Sequence, residues 1–487
     1  MEIFIFLVFV LGYIAITLEH NLKIDKLIPA LLMMALAWAG VALGIDNFKT
    51  WFNPATHSLI EGFNEFSHEA KMHLFEHTLL HHLGKTAEIL IFLIGAMTIV
   101  EIIDHFNGFQ TFKSLIKTKK KSTLLWIVGA LAFILSAIID NLTATIVLIT
   151  ILRKIIVDKE LRLWFAGLIV ISANAGGAWS PIGDVTTTML WMQNKVTAGE
   201  LIKLLFIPSL VCFIVPVLIA SRFKIFQGEI EKEDIEEKLD KNSTFMLILG
   251  LSLIVFVPVF KTITHLPPYV GMMLSLGIMS MAAEIVSNRK FSLSQVEDEN
   301  HVHGPTFKAL SKIEMPSILF FLGILMTVAA LESLGMIYTF GDDVNSMMDE
   351  RIFITLLGLG SAVIDNVPLV AASIGMFQEA MNDQIWHFIA YAAGTGGSLL
   401  IIGSAAGVVA MGMEKISFFW YLKRMTLLAA LGYFAGIGTF LLMPTTHKEV
   451  RGKDKEKTEK HTIQLEESKN QESNYLVFHK SKNVTNP

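Results

Sequence analysis

Three stretches of this chain are too long and too apolar to sit in water, and each carries one carboxylate in its interior. Residues 122–152 hold Asp140 as their only charge, residues 163–194 hold Asp184, and residues 352–378 hold Asp365. A helix crossing the hydrocarbon core needs about 20 predominantly apolar residues. Soluble proteins carry about 25% charged residues. Here 17% of the 487 residues are charged and 53% are hydrophobic, with a mean hydropathy of +0.56. The pattern predicts an all-α polytopic membrane protein.

Smaller counts exclude other classes. A single cysteine, Cys212, allows neither an intrachain disulfide nor a cysteine metal cluster. A net charge of -5 argues against a nucleic-acid partner. No G-x-x-x-x-G-K-[ST] phosphate loop is present, so nothing points to an ATPase. The N-terminus lacks the basic region of a secretory signal and reads as a retained first helix.

The 31 residues of 122–152 suit neither one span nor two, and both flanks are basic. A re-entrant hairpin with Asp140-Asn141 at its tip resolves this, since Lys and Arg gather on the cytoplasmic side and non-helical backbone at depth is tolerated where protein or water covers it. One long tilted helix is the plainer alternative. Residues 163–194 contain Gly176, Gly177, Pro181 and Gly183 at their centre, which predicts an interrupted helix.

The pattern then recurs. Ser136-Ala-Ile-Ile-Asp140-Asn141 returns as Ser361-Ala-Val-Ile-Asp365-Asn366, and Gly176-Gly177…Ile182-Gly183 as Gly396-Gly397…Ile402-Gly403. Leu93–Thr98 resembles Leu322–Thr327, in the same order. Lys and Arg are scarce around the second hairpin, and five crossings separate the two. Both facts predict inverted repeats, an architecture of secondary transporters. The expected organisation is an N-terminal helix pair (1–44) and a polar His/Glu-rich extracytoplasmic loop (45–85). A first repeat follows (86–221, hairpin 122–152, broken helix 163–194). Charged linkers and two connecting spans (222–312) lead to the second repeat (313–443, hairpin 352–378, broken helix 384–413). A polar disordered tail (444–487) ends the chain, and about 10 full spans plus 2 hairpins are expected.

An acid held in hydrocarbon is a functional candidate by default. Asp140, Asp184 and Asp365 each stand beside a predicted helix break, where freed carbonyls and neighbouring hydroxyls and amides can ligate a hard cation. Ser136, Asn141, Asn174, Thr186 and Thr187 supply oxygen in the first half, and Ser361, Asn366, Ser398 and Ser404 in the second. Asn141 and Asn366 would equally serve as simple helix caps. Two Asp-Asn pairs at matching depth favour an ion site. Asp184 has no acidic counterpart, since Ser404 stands at its equivalent, and reads as a helper or a local cap. Glu101, beside Asp104 at a span end, is a weaker candidate. The His-rich loop could bind metal, but its irregular spacing reads as a solvated segment.

The motifs at 136–141, 361–366 and 172–187 (SANAGGAWSPIGDVTT) resemble the NhaD-type sodium/proton antiporters. These belong to the ion transporter superfamily, with dicarboxylate/sodium symporters and arsenite efflux proteins as relatives. The resemblance covers about 85–220 and 313–443. It implies export of Na⁺ or Li⁺ in exchange for H⁺, and carries over onto Asp140, Asn141, Asn174, Asp184, Thr186, Thr187, Asp365 and Asn366, and less securely onto Glu101.

Desolvation disfavours the charged form of a carboxyl, so such a group holds either a proton or a cation. Competition at one site, open alternately to each side, is sufficient for antiport. The expected site pairs Asp140 with Asp365, aided by Asp184, with Na⁺ as cargo. No enzyme activity and no cofactor is expected, and the partners are lipid, Na⁺ or Li⁺, and protons. A homodimer in a bacterial inner membrane is the expected setting. The alternatives are a sodium-coupled dicarboxylate symporter or an arsenite-type oxyanion exporter, which would call for a basic residue. The apolar windows offer none at matching depth. An intramembrane aspartyl protease would also bury two acids, but its Tyr-Asp and Gly-x-Gly-Asp motifs are missing.

Overall fold

The computed structural model describes residues 1–53, 58–60, 62–116, 118–230, 241–291 and 304–443. The first compact unit runs from Met1 to Leu441. The predicted tail at 444–487 and the centres of both charged linkers lie outside the described residues, as do His57 and Glu61.

The described chain is helical almost throughout. Its helices are α1 (Glu2–Thr17), α2 (Glu19–Leu22), α3 (Leu27–Gly44), α4 (His68–His105), α5 (Lys121–Ile139), α6 (Asn141–Ile155), α7 (Lys159–Gly177), α8 (Val185–Met192), α9 (Ala198–Ala220) and α10 (Lys241–Thr264). They continue as α11 (Pro268–Phe291), α12 (Pro305–Leu310), α13 (Met315–Ser333), α14 (Met336–Met347), α15 (Glu350–Gly360), α16 (Asn366–Met376), α17 (Gln384–Gly396), α18 (Ala405–Glu414), α19 (Phe418–Arg424) and α20 (Thr426–Leu442). Helix starts carry the expected acceptors. Ser67 takes the Ala70 N–H, Asp158 that of Glu160, Asp349 that of Arg351, and Asp383 that of Ile385.

Among the described residues seven helices are long and apolar enough to cross a membrane, or eight if the bent pair α19–α20 counts as one span. The count differs from ten for local reasons. α1 has 16 residues, and the segments at 163–194 and 384–413 are each split by a break: α8, α17 and α18 are too short to qualify, while α7 has 19 residues but opens on Lys159, Glu160 and Arg162, which makes it too polar. α5 qualifies by length although its window was expected to form one arm of a hairpin.

The segment expected as a solvated polar loop at 45–85 is helical from His68 onward, because α4 runs unbroken for 38 residues. Phe75, Thr78, His82, Thr86 and Ile89 recur at helical spacing along it and are buried. Trp38 packs edge-on against Phe75, and the Trp51 indole donates to Thr78 Oγ1 at 3.2 Å. The spacing of those small and aromatic positions, rather than the charge content, decides the conformation. Among the described residues no group of three His, Cys, Asp or Glu side chains could hold a metal ion.

Two helix-break-helix pairs lie against two others. α5 and α6 pack on α7, and α15 and α16 pack on α17. The halves also interlock: α6 packs against α18, and α16 against α8. The close approach depends on glycine. A Cβ on Gly176 would run into the carbonyl of Phe133 in α5, and a Cβ on Gly396 into that of Gly358 in α15. Hydroxyls fasten the same two joints, with Ser136 donating to the Ala173 carbonyl at 2.6 Å and Ser361 to that of Ala393 at 2.8 Å.

Candidate cation site

Four helix N-termini converge where the breaks meet, and a side chain caps each. At the first, Asp140 separates α5 from α6 with φ +74°, a backbone region that residues with a Cβ adopt only at a cost of about 1–3 kcal/mol. Its carboxylate accepts the Thr143 N–H at 2.8 Å and the Thr143 hydroxyl at 2.9 Å, which holds that geometry. At the second, Asp365 accepts the Val367 N–H at 3.3 Å at the start of α16. Asp184 caps α8, taking the Thr186 N–H at 2.8 Å and the Thr186 hydroxyl at 2.5 Å. Ser404 caps α18 by accepting the Gly407 N–H at 3.2 Å.

A network of amides joins these caps across the two halves. Asn141 donates to Asp184 at 2.6 Å and to Asn174 Oδ1 at 3.0 Å. Asn366 donates to both oxygens of the same Asp184 carboxylate at 3.3 Å. Asn174 in turn donates to the Ser404 hydroxyl at 3.0 Å. Asp184, read from sequence as a helper or local cap, therefore holds the middle of the network, with both Asp-Asn asparagines on it. It is 3% exposed.

Asp140, Asn141, Asp184, Asp365 and Asn366 line one cavity of about 80 Å³, room for a small cation and a few waters. The remaining candidates do not line it. Ser136, Ser361 and Ser398 spend their hydroxyl protons on carbonyls of Ala173, Ala393 and Thr395. Thr187 donates to the Asp184 carbonyl at 2.9 Å. Thr186, Asn174 and Ser404 act on the site through Asp184 and Asn141. Glu101 sits near the C-terminal end of α4, among Asp104 and Lys312.

Lys26 is the residue that sequence reasoning missed, and it corrects the expectation of a site without a basic side chain. Its ammonium stands 3.3 Å from Asp365 Oδ2 and 4.5 Å over the Phe320 ring. In sequence it belongs to the short link before α3. Only the packing of α3 on α13 carries it to the second break. Thr188 and Ser317 also line the cavity. Three carboxylates face one ammonium there, and the positive ends of three converging helices are already answered by those acids. What the arrangement offers a ligand is anionic oxygen.

Residues 13–387 match the citrate transporter family, CitMHS. "Sodium/proton antiporter 1" of Arabidopsis thaliana is 38% identical over 451 residues, covering 91% of this chain and 73% of that protein. "Na(+)/H(+) antiporter NhaD" of Vibrio cholerae is 32% identical over 457 residues, covering 90% of this chain and 91% of its own. Among solved structures, the YdaH transporter of Alcanivorax borkumensis superposes with a TM-score of 0.54 at 13% identity, over 84% of this chain and 97% of that one. That likeness concerns the fold alone. The chain is a multi-pass membrane transporter rather than an enzyme, and it belongs to the citrate transporter family, among the NhaD-type sodium/proton antiporters.

Proposed function

We propose that this protein exchanges Na⁺ or Li⁺ for H⁺ by alternating access, with Asp184, flanked by Asp140 and Asp365, as the place where cation and proton exclude one another. The observation that carries the reading is the single Asp184 carboxylate receiving Asn141 from one half and Asn366 from the other. A bound Na⁺ would take oxygen from Asp184 and its neighbours, and the asparagine amides would keep the carboxylate aimed at the cavity. A proton on the same carboxylate removes the charge that attracts the cation. The relatives' names as sodium/proton antiporters support this cargo.

The mechanism we infer treats residues 86–221 and 313–443 as inverted repeats, with α5–α6 and α15–α16 as re-entrant hairpins. The matched joints support it: Ser136 to Ala173 against Ser361 to Ala393, and Gly176 against Gly396. We place the protein in a bacterial cytoplasmic membrane, where an inward proton gradient drives Na⁺ outward; the relatives come from a plant as well as from bacteria.

Carriage of an organic anion is the other reading that the family description raises. Lys26 is the group it would use, and Asp365 already occupies it. Proteoliposomes holding a pH-sensitive dye decide between the two. Addition of Na⁺ or Li⁺, but not K⁺, citrate or succinate, should move protons. Asp184→Asn should abolish the signal, and normal exchange by that variant rejects the site.

A further inference from the structure

Among the described residues the His-rich stretch contributes one buried histidine, which the proposed site does not use. His82 is 9% exposed, and its Nε2 has no hydrogen-bond partner among the described residues. It lines a second cavity, of about 710 Å³, together with His81 and Lys85 of α4, Lys195 of the α8–α9 turn, Glu332 of α13 and Glu379 between α16 and α17. These are the titratable groups facing that space. The Glu332 carboxylate takes no hydrogen bond or ion pair among the described residues, and its side chain packs against Gly375 of α16. Lys195 is the charge that acts on it, with the lysine ammonium itself 4.5 Å over the Trp386 ring.

The placement of this cavity is informative. Along α4 the small cavity is lined from Phe92 onward and the large one up to Ile89; along α13 they are lined by Phe321 and Leu325, and along α16 by Val367 and Ala371. About one helical turn separates the two linings on all three helices. A third cavity, of about 440 Å³, shares Lys26 and Asp365 with the small one and reaches Glu19 and Phe418. It touches α13 at Phe320 and Ile324, whereas Glu332 lies near the opposite end of that helix. From Phe321 to Glu332 the rise is about 16 Å at 1.5 Å per residue.

We infer that His82 and Glu332 form a proton-transfer station on the route between Asp184 and the membrane face opposite the cavity that Lys26 and Glu19 line. This rests on the proposed exchange and adds a second locus to it. Buried acids and histidines facing water inside a membrane protein are the groups that relay protons. His82 Nε2 and the Glu332 carboxylate both lack hydrogen-bond partners among the described residues, and both residues line the large cavity. A hydronium ion reaching that cavity gives its proton to the Glu332 carboxylate or to His82 and leaves as water; the proton passes to Asp184 when the turn between the two cavities opens, and the station returns to its starting form.

Two exchange modes test it in proteoliposomes. Glu332→Gln and His82→Gln should slow Na⁺/H⁺ exchange about tenfold or more, while isotopic Na⁺/Na⁺ exchange stays within about twofold of the parent protein. Glu332→Asp should restore part of the proton flux. Equal loss of both modes, or loss of neither, overturns the inference. A parent protein without either mode overturns the proposed function instead. Cysteine labelling checks the placement independently, since the native Cys212 is buried. Thr17→Cys and Gln378→Cys should react with an impermeant reagent from opposite membrane faces, and reaction from one shared face rejects the route.

Discussion

Lys26 Nζ and Asp365 Oδ2 lie 3.3 Å apart on a boundary shared by two cavities, with 25% and 15% of their side chains exposed. The pair places a tethered cation where a mobile one would bind. Removing one partner of a buried ion pair strands the other charge at a cost of about 3–5 kcal/mol, and residual exposure lowers that figure here. Lys26→Met should therefore lower the stability of the detergent-solubilised protein by about 1–3 kcal/mol. It should also lower the Na⁺ concentration needed for half-maximal exchange, because Asp365 no longer has a resident competitor. Lys26→Met combined with Asp365→Asn should regain stability. Thermal unfolding and proton flux measure the two effects, and an unchanged Na⁺ requirement contradicts the competition.

Asn141 and Asn366 serve the same acceptor from different halves. Groups sharing one partner couple, by about 0.5–3 kcal/mol in a double-mutant cycle. Asn141→Ala, Asn366→Ala and their combination should each weaken Na⁺ binding, with the double variant departing from the sum by that range. Na⁺ titration calorimetry reads it. Strict additivity would mean that the asparagines act on separate sites.

The helix interruptions were legible because three features coincided in the sequence: a lone acid, glycine or proline beside it, and an apolar window of awkward length. What escaped was information that only packing carries. Lys26 sits in a link whose neighbours in sequence are unremarkable, and α3 brings it to Asp365 across 339 positions. Asp184 looked peripheral because Ser404 replaces it in the second half. Yet a site between two repeats needs only one acid where both sets of amides converge. The His-rich segment looked solvated because its charge outweighed the buried stripe of Lys71, Phe75, Thr78 and His82 along α4.

Gly176 and Gly396 predict matched steric failures. Each lets a broken helix meet the backbone of the neighbouring helix, at Phe133 and Gly358. Backbone cannot yield as a flexible side chain does, so overpacking costs of about 1–3 kcal/mol or more follow from one added methyl. Gly176→Ala and Gly396→Ala should both broaden the size-exclusion profile and lower the melting temperature. Gly199→Ala and Gly412→Ala, where a Cβ meets nothing within 4 Å, should not. A silent Gly176→Ala would show that the joint is looser than its geometry indicates.

Glu414 ties the halves together away from the candidate cation site. Its side chain is 2% exposed and accepts Arg153 Nε at 2.7 Å and Arg162 Nε at 3.1 Å, so the end of α18 is fastened to the end of α6 and the start of α7. Two guanidinium groups on one buried carboxylate leave little freedom at that joint, and charge-assisted bonds of this kind are the strong ones. Glu414→Gln keeps the shape and removes the charge, leaving Arg162, the less exposed of the two, without its counter-ion. The expected loss is about 3 kcal/mol of stability, with the Na⁺ requirement of the surviving folded fraction unchanged, since Glu414 does not line the cation cavity. Unfolding in detergent measures the first effect and proton flux the second. A shifted Na⁺ requirement with full stability would assign Glu414 to the transport cycle rather than to the joint.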